Sequence, residues 1–197
     1  VHYARLNNSY QPDMGPFTDA QVALNAASTI SKTLSLTPSA FDEWTSVGLY
    51  APPGKTITVK RTDTSTSVVK LKFNMLREGS VHAWQTNDYN RPRFLASTEL
   101  VLEPGKTYTL STPHGGPVYV GWNAVVSGAT PFTLEMNGVL KNPLLDAFDD
   151  SSIQMFLQAV ELADSDWIDI KTPYAEIHTL KSHVFTDFTK QDGNSSN

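Results

Sequence analysis

The chain contains no cysteine. Disulfides, thiolate metal sites and cysteine nucleophiles are therefore excluded. Charge is sparse as well: 18% of the residues are charged, the formal net charge is −5 and the pI is near 5.4. Lysine and arginine are scattered singly, so the basic face that neutralises phosphates is missing and a nucleic-acid partner is excluded. No apolar run approaches the roughly 20 residues of a membrane-spanning helix, which excludes a transmembrane segment of that kind. No signal-peptide pattern is readable. The chain opens on Val1 rather than Met, as a processed product or a cut fragment would. Its end, Gln191-Asp-Gly-Asn-Ser-Ser-Asn197, reads as a flexible tail or a truncation point. A cysteine-free, weakly charged chain is common among exported bacterial β proteins, where a large core replaces disulfide staples.

What is present is enough to build such a core. Of 197 residues, 40% are hydrophobic and 10% aromatic, which suits one domain or one domain with an appendage. Residues 1–40 read as an irregular segment followed by an amphipathic helix. Thr18-Asp-Ala-Gln21 forms a capping box, and Ala20, Ala23, Leu24, Ala27 and Ile30 recur at helical spacing to about Lys32. Residues 41–145 read as short strands separated by turns, the pattern of an antiparallel β-sandwich. Val69, Leu71 and Phe73 alternate with Lys70, Lys72 and Asn74, so one face is expected buried and the other wet. Residues 146–190 read as a helix and a strand completing that body. There Ser151-Ser-Ile-Gln154 caps a stripe of Ile153, Phe156, Leu157 and Val160. Tyr174 to Phe188 has only poor alternation. Residues 191–197 are the tail. The fold class is thus mainly β with flanking helices (α+β).

Two segments stand out. Val47-Gly-Leu-Tyr-Ala-Pro-Pro-Gly-Lys-Thr-Ile-Thr-Val59 and Ser111-Thr-Pro-His-Gly-Gly-Pro-Val-Tyr-Val-Gly-Trp122 each read as strand, tight turn, strand. Pro52 and Pro53 cannot donate to a β-ladder, and Gly54 supplies a left-handed conformation at low cost. Gly115 and Gly116 allow positive φ or close backbone approach. By turn chemistry alone both segments are ordinary hairpins.

Their order and content add something. Val47-Gly48-Leu49-Tyr50-Ala51-Pro52-Pro53-Gly54 resembles the opening Thr-Gly-Leu-Tyr-Ala-Pro-Ala-Gly of enhancin-like, mucin-degrading zinc metallopeptidases. Thr112-Pro113-His114-Gly115-Gly116-Pro117-Val118-Tyr119-Val120 resembles their Ser-Pro-Tyr-Gly-Gly-Leu-Ile-Tyr-Ile. Arg91-Pro92 between them, and Pro173-Tyr174-Ala175-Glu176-Ile177 after them, resemble two further pieces of the family. The departures are His114 for a usual Tyr and Tyr174 for a usual Trp. The resemblance covers roughly residues 45–180. It implies the β-rich opening part of a secreted or cell-surface enzyme that cleaves O-glycosylated, mucin-type proteins. It implies zinc in the complete enzyme and a downstream catalytic domain as partner. The family-motif turns would be Gly48, Tyr50, Pro53, Gly54, Pro113, Gly115 and Gly116.

The zinc motif itself is absent. Two histidines four apart on a helix, with a general-base Glu following the first, make the His-Glu-x-x-His site. His2, His82, His114, His178 and His183 are each followed by a residue other than Glu. His178 and His183, with Glu176, are better read as ordinary surface or half-buried groups than as ligands. Asp164, Asp166 and Asp169 lack the glycine and closing Glu of a calcium loop. No serine sits in a nucleophile elbow. The expectation for this chain is no catalytic residue, no cofactor and no metal. Binding remains open. Trp84, Tyr89, His114 and Trp122, with Tyr119, are candidates for a glycan- or peptide-docking surface, because aromatic faces suit pyranose rings. Trp84 and Trp122 equally suit a sandwich core, which commonly buries Trp. Two functional readings follow: a support region of a peptidase, or an independent carbohydrate-binding or adhesive module.

Overall fold

One strand organises the larger sheet of the computed structural model, which describes residues 26–39, 43–74, 97, 99–112, 115–124, 130–146, 152–165, 167–172 and 174–181. That strand is Phe132–Lys141, ten residues of Phe-Thr-Leu-Glu-Met-Asn-Gly-Val-Leu-Lys. Phe132, Leu134 and Met136 alternate inward, as a half-buried strand requires. In chain order the elements are β1 (Ile30–Leu36), β2 (Glu43–Ala51), β3 (Thr56–Arg61), β4 (Val69–Phe73), β5 (Leu100–Leu102), β6 (Thr107–Ser111), β7 (Gly116–Trp122), β8 (Phe132–Lys141), β9 (Leu144–Asp146), α1 (Ser152–Leu162), β10 (Trp167–Lys171) and β11 (Glu176–Leu180).

The sheet is eight-stranded and antiparallel. Its order is β5-β4-β7-β2-β8-β3-β6, with β1 also on β8. It is hydrogen-bonded continuously through the short β2–β8 junction, Leu49 opposite Lys141 and Tyr50 opposite Leu140. It curls, so that β2, β4, β5 and β7 share one core with β3 and β8. Val69, Leu71, Leu102, Val118 and Val120 meet Ile57, Val59, Leu134 and Met136 there. Each such side chain contributes about 1.5–3 kcal/mol when fully buried. The β-rich, antiparallel architecture is the one the sequence implied. Its layers are halves of one curled sheet. A second, three-stranded sheet, β11-β10-β9, carries α1. Its β9–β10 pair is parallel.

Three local expectations change. Ile30 to Lys32 belong to β1, not to a helix, because the free edge of β8 pairs with Ile30–Leu36 along its length. Residues 18–25 of that expected helix lie outside the described residues. Lys72 and Asn74 are buried rather than wet, and the Trp44 ring lies 5.9 Å from the Lys72 ammonium. In α1, Phe156 and Val160 are buried while Ile153 and Leu157 remain largely exposed.

Candidate functional site

The two signature segments are neighbours in space. β2 and β7 pair antiparallel, with Tyr50 opposite Pro117 and Ala51 opposite Gly116. Their turns meet at the same end. The Gly54 N–H donates to the Thr112 carbonyl at 2.8 Å. Gly115 has φ +65°, and a Cβ placed there would lie 2.5 Å from the Ala51 carbonyl oxygen and 2.8 Å from Pro53 Cδ. Gly48, also left-handed, forms a bulge in β2, and its carbonyl accepts the Asn142 N–H at 3.0 Å. The paired glycines therefore serve close packing between segments, which a hairpin turn alone does not demand.

That packing is testable by comparing two left-handed glycines. Gly54 has φ +67° and open space around its missing Cβ. Gly54→Ala is expected to cost about 1 kcal/mol, the left-handed conformational penalty. Gly115→Ala adds overpacking against backbone and is expected to cost roughly 2–4 kcal/mol. Urea unfolding midpoints measure both, and equal costs would refute the close-packing account.

A polar cluster lies beside this junction, between the larger sheet and the smaller one. Asp169 on β10 is 1% exposed. One of its carboxylate oxygens accepts from Ser46 Oγ at 2.5 Å and from Asn142 Nδ2 at 2.6 Å. The other contacts His178 Nδ1 at 2.6 Å. Ser165 Oγ donates to Asn142 Oδ1 at 3.0 Å. Glu176 on β11 accepts the Ser46 N–H at 2.9 Å, and also the Thr45 hydroxyl. Lys171 Nζ donates to Thr45 Oγ1 at 2.7 Å and lies 3.2 Å from Glu176 Oε1. The Tyr119 ring meets His178 edge-on at 4.8 Å. Burial pushes the Tyr119 phenol well above its ordinary value, and the nearby Asp169 and Glu176 charges push the same way.

Serine, aspartate and histidine meet here in the wrong order for nucleophilic catalysis. Ser46 Oγ gives its hydrogen bond to the acid Asp169, whereas activation requires the imidazole to take the serine proton. Ser46, Thr45 and Asp169 are all buried from solvent. Zinc also does not fit. His178 is the one imidazole in the cluster, both Asp169 oxygens are already engaged by Ser46, Asn142 and His178, and the Lys171 ammonium sits beside Glu176. Among the described residues no group of three or more His, Asp or Glu could hold a metal ion. The cluster is a fastening between two sheets.

The aromatic candidates fare unevenly. Trp122 is 5% exposed and lies in the core against Phe132, with its indole N–H donating to Ser39 Oγ at 3.3 Å. Its ring faces are covered, so it offers no docking platform. Tyr119 is buried too. Trp84, Tyr89, Pro113, His114 and Arg91-Pro92 lie outside the described residues, as does His183. Tyr174 is 97% exposed on a turn pinned by Thr172, whose hydroxyl accepts the Tyr174 and Ala175 N–H groups. Sequence reasoning passed over Ser46 and Asn142, and met Asp169 only as a rejected calcium ligand. The available signal was Trp167-Ile-Asp-Ile-Lys171, in which an acid alternates with apolar residues.

The class that the fold defines is a mainly β, antiparallel domain in which three of the signature pieces lock together. A family model for the N-terminal domain of M60-like peptidases matches residues 18–127, more than half of the chain, and the chain belongs to that family. It is 30% identical over 200 residues to an immunomodulating metalloprotease of Pseudomonas aeruginosa, covering 98% of this chain and 21% of that protein. The chain therefore spans about one-fifth of the length of that curated relative. The solved IMPa metallopeptidase in complex with T-antigen superposes with a TM-score of 0.76 at 27% identity, over 95% of this chain and 22% of that one. IMPa from Pseudomonas aeruginosa in complex with an O-glycopeptide gives 0.74 at 26%, over 88% and 20%. ZmpB metallopeptidase from Clostridium perfringens, at 14% identity and a TM-score of 0.57 over 82% of this chain and 37% of that one, shares the fold.

Proposed function

We propose that this chain is the non-catalytic N-terminal portion of a secreted or cell-surface bacterial zinc metalloendopeptidase that acts on O-glycosylated, mucin-type proteins. In this reading it buttresses the downstream catalytic domain of the same polypeptide and shapes one wall of the substrate cleft. Zinc belongs to that downstream domain. One observation carries the proposal: residues flanking or within three of the four signature pieces interlock, with Gly115 against Ala51, Glu176 on Thr45 and Ser46, and Tyr119 against His178. A signature that fastens its own pieces together suits a rigid support. The carbohydrate-binding alternative loses Trp122 to the core and then depends on Trp84, Tyr89 and His114.

Elemental analysis and a cleavage assay test the proposal together. The chain alone is expected to retain no stoichiometric zinc and to leave an O-glycosylated mucin-type protein intact. The complete polypeptide is expected to bind zinc and cleave it, and to lose cleavage when residues 1–197 are removed. Tight one-to-one zinc binding by the chain alone, or undiminished cleavage without this region, would overturn the reading.

A further inference from the structure

Helix α1 is apolar over far more of its surface than its own partners cover. At about 100° per residue, Ala159, Met155 and Leu162 lie on one side of the buried Phe156–Val160 line, with Ile153 and Leu157 on the other. The apolar arc is roughly 220° wide, about twice what a helix lying on one core needs. Gln154, Gln158 and Glu161 form the polar strip, and Ser152, the first residue of the helix, is the one polar position within the arc. Yet the described partners of the buried line are only Leu145, Ile168 and Ile170 of β9 and β10. Leu162 is left 83% exposed and Met155 64%. The apolar face continues onto β11. Ile177 stands opposite Ile170, shares its face of the sheet, and is half exposed. An apolar arc of roughly 220° is wider than the stripe a helix needs to lie on one core.

We infer that the outer face of α1, centred on Met155 and Leu162, is the docking surface for the segment of the same polypeptide that follows this region. The inference rests on the proposed function and gives its buttress a location. Two observations choose this occupant. The relative matched along 98% of this chain has about four-fifths of its length outside the match, where only 21% is covered. The family model describes an N-terminal domain and ends at residue 127, so α1 and the small sheet lie C-terminal to that unit, on the side where a peptidase domain would follow it. The surface is also nearly uncharged, Glu161 being the one ionisable residue on the helix, which suits burial against another apolar face.

The absence of cysteine from this chain makes the surface addressable residue by residue. Met155→Cys, Leu162→Cys and, about 100° or more around the helix on the polar strip, Glu161→Cys are made in this chain and in the complete polypeptide. Maleimide labelling is followed by peptide mass, since thiol reactivity follows exposure. In the chain alone all three are expected to label at similar rates. In the complete polypeptide Met155→Cys and Leu162→Cys are expected to slow by about ten-fold or more while Glu161→Cys stays fast. Amide hydrogen exchange of α1 in the unsubstituted proteins is expected to slow in parallel. Equal labelling in both polypeptides overturns the inference. So does protection in the chain alone that grows with its concentration, which would make a second copy the occupant. A complete polypeptide that cleaves its substrate only with this region present, yet labels freely at α1, defeats this inference and leaves the functional reading standing. A polypeptide whose cleavage ignores this region defeats the functional reading itself.

Discussion

Replacing Arg61 with alanine is expected to lower the unfolding free energy by about 3–5 kcal/mol, the cost of breaking a buried ion pair from one side. Arg61 is 1% exposed at the end of β3. Its guanidinium reaches Asp63 through Nε at 3.2 Å and Nη2 at 3.1 Å. The same group donates to three carbonyls: Leu102 at 2.8 Å, Ser67 at 2.9 Å and Ser65 at 2.7 Å. It thus holds the β3–β4 loop and the end of β5 at once, while Asp63 accepts the Thr133 N–H from β8 at 2.9 Å. Arg61→Lys retains the charge but has no planar fork to span these acceptors, and is expected to recover less than half of the loss. Burial by itself raises the Asp63 carboxyl. The Arg61 hydrogen bonds, the Thr133 and Ser65 N–H groups and the Arg61 charge outweigh it and hold the group below the ordinary aspartate value. A depressed folded value stabilises above the unfolded aspartate range, and that contribution disappears as pH falls through the folded value. The stability decline from about pH 5 toward pH 2 is therefore expected to be shallower in Arg61→Ala than in the unsubstituted chain. Urea titrations across that range measure both effects. A midpoint shift worth less than about 1 kcal/mol would show that Arg61 is not the keystone of this corner.

The elements most legible in the sequence are those whose burial is decided by their own residues. β3 shows alternation that its burial follows, and Glu103-Pro-Gly-Lys106 marks the turn between β5 and β6, closed by Lys106 N–H on the Glu103 carbonyl at 3.2 Å. The family pieces were visible as motifs, but not their contact, because β2 and β7 meet across more than sixty intervening residues. β1 was hidden because Ile30 fits a helical stripe as well as a strand, and only the edge of β8 decides between them. β10 was hidden because Asp169 interrupts an apolar strand, and the group that makes its burial tolerable, Ser46, is 123 residues away. The wet face expected for Lys72 failed for a similar reason: Trp44 comes from another strand to cover it. Among the site candidates, Trp122 shares the face of Val118 and Val120 on β7 and joins their core, but every residue of that strand is buried, so no polar face marks the inward side in the sequence.

Asp169→Ala is expected to release the small sheet and α1 from the larger sheet, at a cost of about 3–5 kcal/mol. The substitution strands three donors at once: Ser46 Oγ, Asn142 Nδ2 and His178 Nδ1, each losing a partner 2.5–2.6 Å away. An unsatisfied buried donor costs about 1–3 kcal/mol, so the estimate does not require the charge to act alone. The loss should be local. Core strands such as β8 keep their apolar contacts, whereas β10, β11 and α1 depend on the fastening for their place. Hydrogen exchange is therefore expected to accelerate in residues 152–180 well before it does in residues 132–141. Asp169→Asn separates charge from geometry. An amide oxygen can accept from Ser46 and Asn142, and its NH2 can donate to Nδ1 if His178 carries its proton on Nε2. That tautomer places an N–H 4.0 Å from Glu176 Oε2, too long for a good hydrogen bond but favourable electrostatically. Asp169→Asn is thus expected to lose less than half of what Asp169→Ala loses. If both variants fall equally, the carboxylate charge and not the hydrogen-bond pattern holds the sheets together. If neither accelerates exchange in residues 152–180, the apolar contacts within the small sheet and α1, with Trp167 against Tyr50 and Leu140, are sufficient and the fastening is dispensable.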